Sequence, residues 1–149
     1  MWPKKLQEMP RVKMVMTPFP YSIEQREPLE EAERMMEKHR IHHLPVMKDG
    51  TPVGVISHRD LQRTLDQGAD GEEDKPLTVS EVPREEAFVV DLSEPLDRVL
   101  HRMAEEHLRT ALVVKDDRLA GIFTLTDACR CFSENLRLQF PPAGGDEAA

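Results

Sequence analysis

Sliding the chain along itself by 67 residues brings Val12 onto Val79, Val15 onto Val82, and Glu27-Pro28-Leu29 onto Glu94-Pro95-Leu96. The same offset places Met36 on Met103, Val46 on Val113, Lys48-Asp49 on Lys115-Asp116, Gly54 on Gly121, Asp60 on Asp127 and Arg63 on Arg130, without a gap. Self-similarity at a fixed period marks one supersecondary unit used twice. Two such units are expected to pack on each other about a pseudo-twofold axis. A cleft between like surfaces is a natural place for a ligand.

The offset also sets the organisation. Residues 1–11 read as a lead-in, 12–65 as the first repeat and 77–135 as the second. Residues 66–76 (DQGADGEEDKP) form an acidic linker without a large apolar residue. Residues 136–149 form a tail, partly disordered at its PPAGGDEAA end. Within each repeat the predicted order is strand, helix, strand, strand, helix. Tyr21-Ser22-Ile23 and Phe88-Val89-Val90 are the first strands. Helices follow, with Pro28 and Pro95 in their first turns. Their apolar faces are Leu29, Ala32, Met35, Met36 and Leu96, Val99, Leu100, Met103. Leu44 to Met47 and Ala111 to Val114 pair with Val53 to Ile56 and Leu119 to Phe123 across hairpin turns, Asp49-Gly50 being a strong turn signal. Asp60 and Asp127 open the last helices, which run to Leu65 and Asn135. The fold class is α+β, two tandem β-α-β-β-α repeats.

At 149 residues this is one compact domain, or two half-domains sharing a core. A hydrophobic share of 39% and a charged share of 32% suit a soluble globular protein. No apolar run approaches the ~20 residues of a membrane span, and the N-terminus is too poor in apolar residues for a signal peptide. The expected compartment is the cytoplasm. A net charge of −8 disfavours nucleic acid as partner, because phosphate-backbone binding needs a basic face. Cys129 and Cys131 read as reduced thiols.

Gly54-Val55-Ile56-Ser57-His58-Arg59-Asp60 and Gly121-Ile122-Phe123-Thr124-Leu125-Thr126-Asp127 share one pattern: Gly, two apolar residues, Ser or Thr, two variable residues, Asp. With the element order, with Met16-Thr17-Pro18 and with Ile41-His42-His43-Leu44-Pro45-Val46, this resembles the CBS domain (the cystathionine beta-synthase type repeat). The resemblance covers about Val12 to Phe132. It implies a paired Bateman module with two clefts between the repeats. In many family members these clefts bind AMP, ADP or ATP, and sometimes S-adenosylmethionine or NAD. The module usually senses rather than catalyses, and commonly forms a homodimer.

The resemblance assigns the ribose diol to Asp60 and Asp127; a helix cap is the alternative role for a carboxylate there. Ser57 and Thr124, three residues earlier, can donate to a phosphate near a helix N-terminus, or be plain strand-end polar residues. His42, His43, Arg109 and Thr110 occupy matched positions before the second strand of each repeat. Basic residues here contact phosphate in the family. Arg109 can fork onto a phosphate, and the histidines can do so when protonated; a solvated polar patch is the alternative. The resemblance pairs Tyr21 and Ile41 with the Asp127 cleft, and Phe88 and Leu108 with the Asp60 cleft, as adenine walls. Core packing is the competing role for all four.

The second repeat departs from the pattern. It has Ala111-Leu112 where the first has Leu44-Pro45, and Val82-Pro83-Arg84 where the first has Val15-Met16-Thr17. The clefts are therefore expected to be unequal, with the permanent cation, Arg109, in the Asp127 cleft. A metal site from His39, His42 and His43 lacks an acidic or Cys partner at zinc spacing. His58-Arg59-Asp60-Leu61 matches the opening of a kinase catalytic loop, but Leu65 replaces the metal-binding Asn and no glycine-rich loop exists. No nucleophile–base pair is visible, so no catalytic residue or catalytic cofactor is expected. The expected ligand is an adenine nucleotide and the expected macromolecular partners are a second copy and a separate regulated protein. The alternative is a ligand-free dimerisation module that keeps the fold.

Overall fold

A computed structural model describes residues 8–68 and 76–142. The element order is β1 (Thr17–Pro18), β2 (Ile23–Glu24), α1 (Leu29–His39), β3 (His43–Lys48), β4 (Thr51–Ser57) and α2 (His58–Gly68). It continues with β5 (Glu85–Glu86), β6 (Val89–Asp91), α3 (Leu96–Glu105), β7 (Thr110–Lys115), β8 (Arg118–Thr124) and α4 (Leu125–Gln139). Most of the linker and the end of the tail lie outside the described residues. The last helix runs past Asn135 into the segment read as tail.

The two halves repeat their local chemistry as well as their order. Pro28 and Pro95 stand just before α1 and α3, at the N-cap rather than inside the first turn as expected. Each helix ends on a left-handed residue, Arg40 (φ 54°) and His107 (φ 54°), after which Ile41 N–H donates to Met36 O and Leu108 N–H to Met103 O. That is the Schellman closure of a helix C-terminus. The β3–β4 turn has Asp49 and Gly50 at positive φ, and the β7–β8 turn has Asp116 and Asp117 there. Two consecutive positive φ values are what a tight right-twisted hairpin requires.

The sheets cut across the sequence repeats. One has the order β2-β3-β4-β5 and the other β1-β8-β7-β6. Thus β1, at the start of the first repeat, pairs antiparallel with β8, and β5, at the start of the second, pairs with β4. The cores follow the same exchange. Val12 is fully buried among Val99, Met103, Ala111, Val113 and Phe123 of the second repeat. Val79 and Val82 are buried among Leu29, Met36, Leu44, Val46 and Ile56 of the first. Two backbone bonds fix it symmetrically: Leu29 N–H to Leu77 O at 3.2 Å and Leu96 N–H to Pro10 O at 2.8 Å. Each packing unit therefore takes its lead-in segment from the other sequence repeat. The expected boundaries at 12 and 77 separate repeats of sequence, not of packing.

Each sheet carries its two helices on one face. Val55 and Leu112 are buried yet belong to neither helix-side core. They point from the other faces, where β4 and β8 meet. Strand alternation then puts Ser57 on the face of Val55, and Thr110 on the face of Leu112. Residues paired directly across a ladder share a face, so His43 opposite Ser57 and Thr124 opposite Thr110 join them. The inter-sheet face thus ends in polar side chains from both repeats.

Candidate functional site

The sharpest local structure lies where β4 enters α2 and β8 enters α4. Ser57 Oγ accepts from Asp60 N–H at 3.1 Å and donates to Asp60 Oδ2 at 3.1 Å. Thr124 Oγ1 accepts from Asp127 N–H at 3.3 Å and donates to Asp127 Oδ2 at 3.1 Å, while Thr124 N–H donates to the same oxygen at 2.9 Å. The helices begin two residues before the aspartates, not at them. Thr124 is the N-cap and Asp127 the third helical residue of a capping box. Ser57 and Asp60 take the same places at α2. The aspartates are therefore not N-caps, as the alternative role had it. They brace the cap while keeping a carboxylate beside the helix N-terminus, where the dipole favours negative charge.

Asp127 carries one further partner, Arg130 Nη1 at 3.0 Å from Oδ1. Asp60 has no such neighbour among the described residues, although Arg63 stands at the matching position.

Of the expected phosphate-side residues, His42, His43, Arg109 and Thr110 stand at the starts of β3 and β7. His58 N–H donates to His42 O at 2.8 Å and Leu125 N–H to Arg109 O at 3.0 Å, a symmetric pair tying each strand start to a helix start. The His42 and His58 rings meet edge to face, centroids 6.3 Å apart. Burial holds the His43 imidazole pKa below its ordinary 6.5; Glu85 opposes that shift, and His42 and Arg109 add to it. His43 and Arg109, from different repeats, are thus within electrostatic reach. Thr110 is buried and its Oγ1 has no hydrogen-bond partner among the described residues. A buried hydroxyl left unpaired costs ~1–3 kcal/mol.

The expected adenine walls are less open. The Tyr21 ring is stacked on His39, centroids 3.6 Å apart and planes 12° apart. Phe88 is buried with the Arg102 guanidinium 4.6 Å above its ring. Ile41 and Leu108 pack against the helix-side cores. Phe88 and Leu108 do come together, lining a cavity of about 400 Å³ with Ala87, Val89, Arg102 and Glu106. All of its lining residues follow the linker in sequence, and neither Ser57 nor Asp60 is among them. A second cavity of about 400 Å³ lies elsewhere, an apolar groove bounded by Met9, Leu96, Leu100, Ala128, Cys131 and Phe132. Among the described residues no three His, Cys, Asp or Glu side chains gather as a metal-binding group. No helix of the described residues is long and apolar enough to cross a membrane.

Sequence reasoning missed the segments that close the motif glycines. A Cβ at Gly54 would meet Arg84 and Glu85, and one at Gly121 would meet Met16. The glycines of the shared motif are thus where the exchanged strands cross. Their only signal in the sequence is the matched glycine itself.

The family model described as CBS domain matches residues 12–66 and again 79–134. The chain belongs to the CBS domain family. Among relatives of this CBS pair, the CBS domain-containing protein YhcV of Bacillus subtilis is 30% identical over 120 residues, 80% of this chain and 83% of that one. Hypoxic response protein 1 of Mycobacterium tuberculosis is 29% identical over 122 residues, 81% and 84% of the two chains. Among solved structures, the CBS domain pair of protein MJ0100 in complex with 5′-methylthioadenosine and S-adenosyl-L-methionine matches with a TM-score of 0.71 at 28% identity. That match covers 86% of this chain and 99% of the other.

Proposed function

We propose that this CBS pair is a non-catalytic sensing module. It binds an adenine nucleotide (AMP, ADP or ATP) or a related adenosyl compound between its repeats and signals the occupancy to a separate protein. One observation carries the reading. Twice, in symmetric positions, a hydroxyl and a carboxylate are held together at a helix N-terminus beside the inter-sheet face. A carboxylate accepts from a ribose diol, and a hydroxyl with free helix N–H groups receives a phosphate. The complex of the MJ0100 pair with two adenosyl compounds supports the ligand class. Ser57, Thr124, His42, His43, Arg109 and Thr110 are the phosphate-side residues of this proposal. Tyr21, Ile41, Phe88 and Leu108 are the base-side residues, after displacement of His39 and Arg102 from the rings.

The test is a thermal-melt screen with AMP, ADP, ATP, S-adenosylmethionine, NAD and 5′-methylthioadenosine, followed by calorimetry. A ligand at 100 times its Kd raises stability by about 2.7 kcal/mol. A shift lost in the Asp60→Ala/Asp127→Ala double variant supports the reading; no shift with any compound at millimolar concentration refutes it. The module is further proposed to work in the cytoplasm as a homodimer. A monomeric mass by light scattering at tens of micromolar would contradict the dimer.

The apolar groove between α3 and α4 favours a second reading. Phe132 of α4, which lines the groove, is 64% exposed, and exposed apolar patches mark interaction surfaces. A ligand-free dimerisation module would keep its mass and its melting point whatever compound is added.

A further inference from the structure

The two ligand sites proposed above are alike in sequence, yet their carboxylates differ in how many acceptor sites remain. A carboxylate has about four lone-pair sites. Asp127 receives three donors: Thr124 N–H, Thr124 Oγ1–H and Arg130 Nη1–H. Asp60 receives one, Ser57 Oγ–H, among the described residues. A vicinal ribose diol brings two donors. Asp60 can accept both as it stands. Asp127 can accept both only after Arg130 lets go of Oδ1.

From this we infer that Arg130 ranks the two clefts: a ribose-bearing ligand fills the Asp60 cleft first, and the Asp127 cleft fills second, against the Arg130 latch. The inference rests on the sensing function proposed above and names the order of loading within it. It adds an order of loading to the inequality expected from Arg109, the permanent cation on the Asp127 side. Arg109 can help only a ligand with a phosphate, whereas the diol is common to every adenosyl compound. The latch is modest. Arg130 is 61% exposed and the Asp127 side chain 13% exposed, and such ion pairs are worth about two- to five-fold in an equilibrium. Arg130 is therefore a residue that sets specificity between clefts without touching the ligand.

Calorimetric titration with 5′-methylthioadenosine tests this without phosphate contacts, and AMP serves as the phosphorylated comparison. Wild-type protein is expected to bind a tight and a weak equivalent. Asp60→Asn should remove the tight one and Asp127→Asn the weak one; the amides preserve part of each cap. Arg130→Ala should tighten the weak equivalent about two- to five-fold. Arg63→Ala, at the matching position, should leave both equivalents as they are. Loss of the tight equivalent in Asp127→Asn, or an unchanged weak equivalent in Arg130→Ala, overturns the inference while leaving the sensing function standing. Binding of neither compound to the wild type removes both. Circular dichroism of each variant separates lost binding from lost fold.

Discussion

Gly54 lies against the backbone of Glu85: a Cβ at position 54 would fall 2.7 Å from the Glu85 carbonyl oxygen and 2.6 Å from Arg84 Cδ. The first glycine of the shared motif is therefore a strand-crossing residue. Gly121 is its counterpart, but there the obstacle is the Met16 side chain. A thioether can swing aside; a sheet carbonyl bonded into β4–β5 cannot. Gly54→Ala should destabilise by about 1–3 kcal/mol, as overpacking does, and Gly121→Ala by less. Equal denaturation midpoints for the two variants would contradict the difference.

The exchange of lead-in segments makes a second prediction. Val12 belongs by sequence to the first repeat and by packing to the second. Val12→Ala removes two buried methyl groups, worth roughly 1.6 kcal/mol before any cavity cost. Hydrogen exchange should show the loss in α3, β7 and β8. Val79→Ala should weaken α1, β3 and β4 instead. Loss confined to the repeat that carries the mutation in sequence would refute the exchange.

These pairs show where sequence reading stops. The 67-residue offset, the helices, the hairpins and the Ser/Thr-x-x-Asp pairs were legible because each is local or periodic. Ser57 and Asp60 are three residues apart, so their contact needs no knowledge of the rest of the chain. The two-residue strands β1 and β5 were not legible. They have no period and are strands only because β8 and β4 lie beside them. Likewise, nothing in the sequence distinguishes Arg63 from Arg130, since both stand three residues after an aspartate. The ring partners of Tyr21 and Phe88, namely His39 and Arg102, come from helices whose orientation only packing decides.

His43 gives a pH signature. Its pKa is lowered in the fold, chiefly by burial, so the folded state takes up a proton less readily than the unfolded chain. The stability it supports is full above pH 6.5 and is lost as pH falls below that value and through the lower folded pKa. His43→Gln should flatten this part of the melting-temperature profile. An unchanged slope in the variant would exclude His43 as its source.

A phosphorylated ligand should work in the opposite direction. A phosphate near His43 and Arg109 favours the imidazolium, so binding AMP should take up protons and tighten as pH falls from 7 towards 6. 5′-Methylthioadenosine has no phosphate and should show no such gain. Calorimetry in buffers of different ionisation enthalpy reads the proton uptake directly. The same pH dependence for both compounds would remove His42 and His43 from the phosphate side.

Thr110 separates stability from function most sharply. Its hydroxyl is buried on the inter-sheet face, directly opposite Thr124, and has no partner among the described residues. Thr110→Val replaces that hydroxyl with a methyl group of similar size and removes an unmet hydrogen bond, which should stabilise the protein by about 1 kcal/mol. A residue kept only for packing would gain by that exchange and lose nothing. If Thr110 instead waits for a ligand oxygen or for water bridging to one, the same variant should melt higher and bind more weakly. A functional site that carries an unpaired polar group at the expense of stability behaves in this way. Higher stability with undiminished affinity would assign Thr110 to the fold alone; lower stability would mean that its hydroxyl already has a partner.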